Sequence, residues 1–199
     1  TTLHTFIYIL SAKVVKIITP SPDRIEATCA YFKQCGGCQI QHMTYDGQLK
    51  WKQKMVENVM RRIGKIDAPV HPTKGMDNPW SYRNKAQIPF GLNDFGEVVA
   101  GFYKQKSHEI VNMDRCLIQT EEADALMANL KHELASLGMR PYNEEKHQGQ
   151  LRHVVVRKGR TTNEVMVVLI TRTREIRNVE AIIERIQTLV PNVVSIVQN

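Results

Sequence analysis

Four cysteines constrain this chain more than any other feature. Three lie in Cys29-x5-Cys35-Gly-Gly-Cys38, the fourth stands alone at Cys116, and none is left over. A tight loop offering three thiolates, closed by a fourth from elsewhere in the chain, suits a cubane [4Fe–4S] cluster in which each thiolate holds a different iron. Gly36 and Gly37 carry no side chain, so the backbone there can bend around a cluster and aim N–H groups at its sulfurs. Zinc is an alternative, although structural zinc sites usually pair two short knuckles rather than three cysteines and one. Two disulfides are another, but no secretory signal precedes the cysteines, and reduced thiols in a cytoplasm are expected. Tying residues 29–38 to residue 116 closes a long loop, which by analogy with cross-links stabilises a domain by roughly 2–4 kcal/mol.

The remaining numbers narrow the function classes. With 199 residues the chain suffices for one large domain or two small ones. Its net charge of +7 favours a polyanionic partner such as nucleic acid. No apolar run reaches membrane-spanning length, so no membrane partner is expected. The eleven glycines contain no Gly-x-Gly pair, which removes the dinucleotide fingerprint, and the P-loop is also missing. The seven histidines are scattered, and a cluster holding all four thiols leaves no cysteine nucleophile. No catalytic residue is assigned, and no complete reaction is expected of these residues alone.

Patterning predicts an α+β fold. Residues 6–10 and 14–18 read as strands, stopped by Pro20-Ser21-Pro22. A helix is expected over 44–64, with Leu49, Met55, Val56, Val59, Met60 and Ile63 on one face and Gly64 just past its end. Strands are expected at 85–90 and 98–103, joined by a hairpin turn, and at 109–113. A helix capped by Thr120 should run to Gly138, with strands at 151–158 and 164–171, the latter apolar on both faces and therefore central. A helix near 178–190 and a strand at 193–197 close the chain.

The order of motifs resembles a known family. Ser21-Pro22-Asp23-Arg24, the cysteine loop with Gln39, and Tyr82-Arg83-Asn84-Lys85 are similar to the iron–sulfur class of RNA uracil-5-methyltransferases. So are Gly101-Phe102-Tyr103 with Ser107-His108, the lone Cys116, and Leu151-Arg152-His153 with Arg157. The resemblance covers about 21–199. It implies an N-terminal TRAM domain (an OB-like β-barrel), a central iron–sulfur α+β domain, and a C-terminal domain binding S-adenosylmethionine. A cysteine of that last domain would add to uracil C6 to activate C5. On this reading residues 1–24 are a remnant of the barrel and 25–192 the central RNA-binding domain. Residues 193–199 open the catalytic domain, which lies beyond Asn199. Residues 1–19 are too few and too glycine-poor for a whole barrel, a departure from the family pattern. Ribosomal RNA, of the 23S uridine type, is favoured, because the tRNA enzyme of the family lacks the cysteine motif.

Cys29, Cys35, Cys38 and Cys116 are thus the expected cluster ligands. Four thiolates leave no iron open, which points to a structural or RNA-positioning cluster rather than metal-centred chemistry. Expected RNA contacts are Tyr82, Arg83 and Lys85, beside Trp80, where cations adjoin aromatic faces able to stack on unpaired bases. Arg152, His153 and Arg157 form a second set, although strand alternation should send Arg152 and His153 to opposite faces. Lys50 and Lys54 form a strip on the first helix that could lie against phosphates. Phe32 is expected to shield the cluster. The competing functions are a zinc- or cluster-bound nucleic-acid adaptor and a ferredoxin-like electron carrier; the latter needs an acidic docking face, and this chain is basic.

Overall fold

The computed structural model describes residues 14–144 and 146–199. The strand expected at 6–10, and with it most of the barrel remnant, lies outside the described residues. Residues 14–18, also expected as a strand, have no regular structure and pair with no strand among the described residues. Their β-branched side chains are largely exposed, Val15 at 97%, so no sheet surface rewards an extended conformation there.

Six strands form one sheet: β1 (Lys85–Leu92), β2 (Val98–Tyr103), β3 (Ile110–Asn112), β4 (Leu151–Lys158), β5 (Val165–Thr171) and β6 (Val193–Gln198). Their order is β3-β2-β1-β4-β5-β6. Neighbours are antiparallel except β5 and β6, which run parallel and are joined through helix α3 (Val179–Leu189). The stretch expected to open a further domain is therefore the edge strand of this sheet, paired with β5. In the hairpin between β1 and β2, Asn93 Oδ1 accepts from the N–H groups of Phe95 and Glu97, and Gly96 takes the positive φ that closes the turn.

Alternation along the strands sends Ala86, Ile88, Val154, Val156, Val167 and Leu169 to one face, where all are buried. Helix α2 (Glu121–Glu133) covers them with Ala123, Leu126, Met127 and Leu130, a three-four spacing that makes one stripe, and α3 adds Ile182 and Ile186. Thr120 caps α2 by accepting from the Ala123 N–H. Regular helix ends at Glu133, and turns continue to Gly138, whose φ of 72° lets the Met139 N–H reach back to the Leu134 carbonyl. The helices are tied by Arg185, which donates twice to Glu133.

The opposite face of the sheet carries Lys85, Gln87, His153, Arg157, Met166 and Val168, and among the described residues no helix covers it. β5 is thus interior in the sheet but covered on one side only. The first helix departs further from expectation. Regular α1 spans Tyr45–Val59, capped by Thr44, and then widens into a π-helical turn at Met60–Gly64. Lys65, not Gly64, adopts the left-handed conformation that ends it. Of the apolar stripe, Met55, Val56, Val59 and Ile63 are exposed, and only Gly47 in α1 is buried.

Where β2 meets β3, Gly101 sits so close that an added methyl would overlap the Val111 carbonyl oxygen. Gly101→Ala is expected to lower stability by about 1–3 kcal/mol through this overlap. Urea unfolding of the variant beside the parent chain checks it; an unchanged midpoint would refute the close approach.

Candidate metal centre and nucleic-acid interface

The cysteine loop is built from turns. The Cys35 N–H donates to the Tyr31 carbonyl at 2.8 Å and the Phe32 N–H to the Cys29 carbonyl at 3.1 Å, which brings Cys29 round towards Cys35. The loop is stitched to the end of β2: the Gly36 N–H donates to the Tyr103 carbonyl at 2.9 Å, and Cys35 bridges Lys104. A side chain at Gly36 would press on that carbonyl from 3.2 Å. The Gly37 N–H points at Cys35 Sγ, 3.4 Å away.

Helix α2 fixes the fourth cysteine. The Cys116 N–H donates to Asp124 Oδ1 at 2.9 Å. One helical stretch away, buried Lys131 donates to Asn112 Oδ1 at 3.1 Å, the Met113 carbonyl at 3.2 Å and Asp114 Oδ1 at 2.5 Å. Segment 112–116 therefore leaves β3 along a path set by two polar side chains of α2. Neither had been singled out in the sequence, where each looks like an ordinary charge on a helix.

These two supports bring Cys29, Cys35, Cys38 and Cys116 to the lining of one small cavity, about 30 Å³, with Phe32, Phe102, Arg83 and Gln119. Among the described residues, no three Cys, His, Asp or Glu side chains stand close enough to hold a single metal ion. Burial pushes the Cys116 thiol up to about 11, outweighing the Ile118 N–H that favours its thiolate, and burial likewise raises Cys35. The Arg83 guanidinium opposes that rise at Cys35. Gln119 is buried in the same wall with its Oε1 unpartnered, so its amide is free to turn towards a group in the cavity.

Burial also pushes the Asp124 carboxyl from 3.8 up to about 6, the Cys116 N–H only partly opposing it. A raised carboxyl binds its proton more tightly in the folded chain, so its contribution to stability is lost as pH rises from about 4 to about 6. Asp124→Asn keeps an oxygen for the Cys116 N–H and removes the titration. The stability difference between variant and parent is expected to grow in the variant's favour across that window and level off above it. Thermal unfolding at pH 4, 5, 6 and 7 checks this, and a pH-independent difference would contradict it.

Segment 81–83 runs alongside 117–118, with the Ser81 N–H donating to the Leu117 carbonyl and the Arg83 N–H to that of Ile118. Arg83 is accordingly half-buried at the cysteine cavity while also bordering a neighbouring hollow with Tyr82 and Arg160. Next to this hollow Lys85 and Arg157 face each other in register on the open face of the sheet. Like charges directly opposite across an antiparallel pair repel, and a polyanion laid between them relieves that. Lys158 is not free to join them, because its Nζ donates to Glu122 at 2.7 Å. Trp80 and Tyr82 are partly exposed, which leaves ring faces available beside the cations.

The other expected contacts lie elsewhere. Lys50 and Lys54 are exposed on α1 and border neither the cysteine cavity nor the basic hollow. Arg152 and His153 sit at the far end of β4 from Arg157, roughly 15 Å along the strand. The expectation that Arg152 and His153 point apart fails: both line one hollow, because the pairing with β5 shifts register between Leu151 and His153. Tyr103, Tyr142 and Asp94 line that hollow too, and only Tyr103 had featured in a sequence motif. No helix among the described residues is long and apolar enough to cross a membrane.

The chain is similar to proteins described as RNA methyltransferases. The chain is 55% identical over 188 residues to an uncharacterized RNA methyltransferase of Halalkalibacterium halodurans, covering 94% of this chain and 41% of that protein. Counterparts of the same description in Bacillus cereus and Listeria monocytogenes are 54% and 43% identical, each over 94% of this chain and 41% of their own length. The chain thus spans about two-fifths of the curated relatives it matches. Among solved structures, the Pyrococcus abyssi tRNA (uracil-54, C5)-methyltransferase in complex with S-adenosyl-L-homocysteine is similar at a TM-score of 0.60 and 28% identity. That match covers 83% of this chain and 36% of the other. No protein-family model matches the chain.

Proposed function

We propose that these residues are the RNA-recognition and [4Fe–4S]-binding portion of an S-adenosylmethionine-dependent RNA uracil-C5 methyltransferase. The observation that carries this reading is the meeting of Cys29, Cys35, Cys38 and Cys116 at one cavity, in a chain more than half identical to RNA methyltransferases. On this reading residues 25–192, with β6 completing their sheet, make up the central domain, residues 1–24 are the remnant of a TRAM barrel, and the S-adenosylmethionine site lies in the catalytic domain.

The donor set fits the cluster: four soft sulfurs, with an N–H aimed at one of them from Gly37. The cavity is tight, so seating a cube requires the turn-built loop 29–38 to give way around it. When bound, the cluster supplies a covalent tie between that loop and segment 112–116, with no open iron. The chain's own residues do the rest. Arg83 stands between the cysteines and the basic hollow, so the order of the cysteine loop reaches the surface that meets RNA. Lys85 and Arg157 hold the backbone, and Trp80 and Tyr82 offer ring faces to unpaired bases.

Ribosomal RNA is the favoured substrate because the cysteine motif resembles the ribosomal branch; the likeness to a tRNA enzyme makes tRNA the competing arm of the test. These residues alone are expected to bind RNA with an affinity that falls as salt rises, and to transfer no methyl group from labelled S-adenosylmethionine. The full-length protein is expected to label uracil C5 in 23S ribosomal RNA. Turnover by these residues alone, or labelling at a base other than uracil, would overturn the assignment.

A further inference from the structure

The hollow that Arg152 and His153 share on the open sheet face has a volume of about 560 Å³, and the basic pair at Lys85 and Arg157 does not reach it. On its floor Gly91 lacks a side chain and so admits that of Ile110, which a Cβ there would meet at 2.8 Å. Rings gather round that floor. Tyr103 Oη and His153 Nε2 are 3.4 Å apart, and His108 leans on Tyr103 with ring centres 5.7 Å apart. Burial, with the neighbouring Arg152 charge, lowers the His153 pKa and keeps its imidazole neutral and able to stack. On the facing wall, the Arg152 guanidinium lies 4.9 Å from the centre of the Tyr142 ring and donates to Glu144 at 2.9 Å.

The charge of this hollow differs from the rest of the surface. Asp94, Glu109 and Glu144 line it; Lys104 pairs with Glu109 and Arg152 with Glu144, so these two cations are offset by carboxylates, while Arg172 stands 5.9 Å from the Tyr142 ring centre. Flat aromatic and guanidinium surfaces beside carboxylate acceptors suit a planar heterocycle with N–H donors on its edge. Size agrees, since a nucleoside fits in a cavity of this class.

We propose that this hollow takes one unpaired nucleobase of the bound RNA, stacked on Tyr103 and Arg152, and prefers guanine, adenine or cytosine, which carry amino donors, over uracil. The proposal rests on the reading of this chain as RNA-binding and gives it a second, base-selective subsite apart from the phosphate-holding pair.

Fluorescence anisotropy with short single-stranded RNAs tests it: an oligouridylate, and the same oligomer with one guanosine, adenosine or cytidine inserted. The parent chain is expected to bind the inserted oligomers about tenfold more tightly. Tyr103→Ala and Arg152→Ala should each abolish that preference and weaken binding by about five- to a hundredfold. Tyr103→Phe, which keeps the ring, should retain it. Because Tyr103 is 38% exposed, the alanine variant should fold, and circular dichroism verifies that. RNA binding that is indifferent to the inserted base and unchanged in both alanine variants overturns this proposal while sparing the RNA-binding reading. No RNA binding by the parent chain overturns both.

Discussion

Replacing Lys85 and Arg157 together by glutamine is expected to weaken single-stranded RNA binding about tenfold at moderate salt. It should also reduce the slope of log affinity against log salt by about 1.5, the release of two counterions. The two side chains face each other in register on the open sheet face, where their mutual repulsion is a cost to the fold. The same double variant should therefore be no less stable than the parent, and slightly more so by a few tenths of a kcal/mol. This pairing of outcomes separates a binding site from a structural one, since a structural pair would lose stability when removed. Titrations at several salt concentrations with unfolding curves on the same samples would decide it. An unchanged salt slope, or a loss of stability, would remove this pair from the interface.

Cys38→Ser and Cys116→Ser are expected to have the largest effect on stability. Each removes a thiol from the cavity lining, and the proposed cluster would then no longer tie loop 29–38 to the end of β3. The tie closes a long loop and by analogy with cross-links contributes about 2–4 kcal/mol, or roughly 5–15 °C in thermal midpoint for a domain of this size. The two variants should be equally depleted of iron although their positions are far apart in the chain, because a cluster held by three of four corners is labile. A variant that keeps its iron would exclude that cysteine from the ligand set.

Much of the fold was legible in the sequence, and the reasons differ by element. Strands β1, β2, β4 and β5 are apolar-rich runs, and the hairpin between the first two carries Asn93 and Gly96 at the positions the turn demands. The cap of α2 is written in Thr120 and the acidic turn behind it. Helix α1 misled because a helical apolar stripe says that a face can be buried, not that these residues supply what buries it. Its π-helical end has no composition signal, since Met60–Gly64 suits an α-helix equally well. The bulge near Arg152 was hidden for a similar reason: alternation is a local rule, and a register shift is decided by the partner strand.

The four cysteines that line one cavity were legible in the sequence, and their supports were opaque. Cysteine spacing marked all four thiols, yet Asp124 and Lys131, which aim Cys116, read as surface charges until α2 is folded onto the sheet. Arg83, expected to meet RNA, borders both the basic hollow and the cysteine cavity, set there by backbone bonds from 81–83 to 117–118, a double placement that the sequence did not signal. Tyr103 and Tyr142 come from segments that only the sheet edge brings together.

The account turns on whether the four thiols hold one inorganic cluster, and iron and acid-labile sulfide in the anaerobically purified chain test that most directly. About four irons and four sulfides per chain are predicted, with a brown colour that bleaches on reduction. Stoichiometric zinc, or four thiols that titrate freely with no iron present, would contradict it.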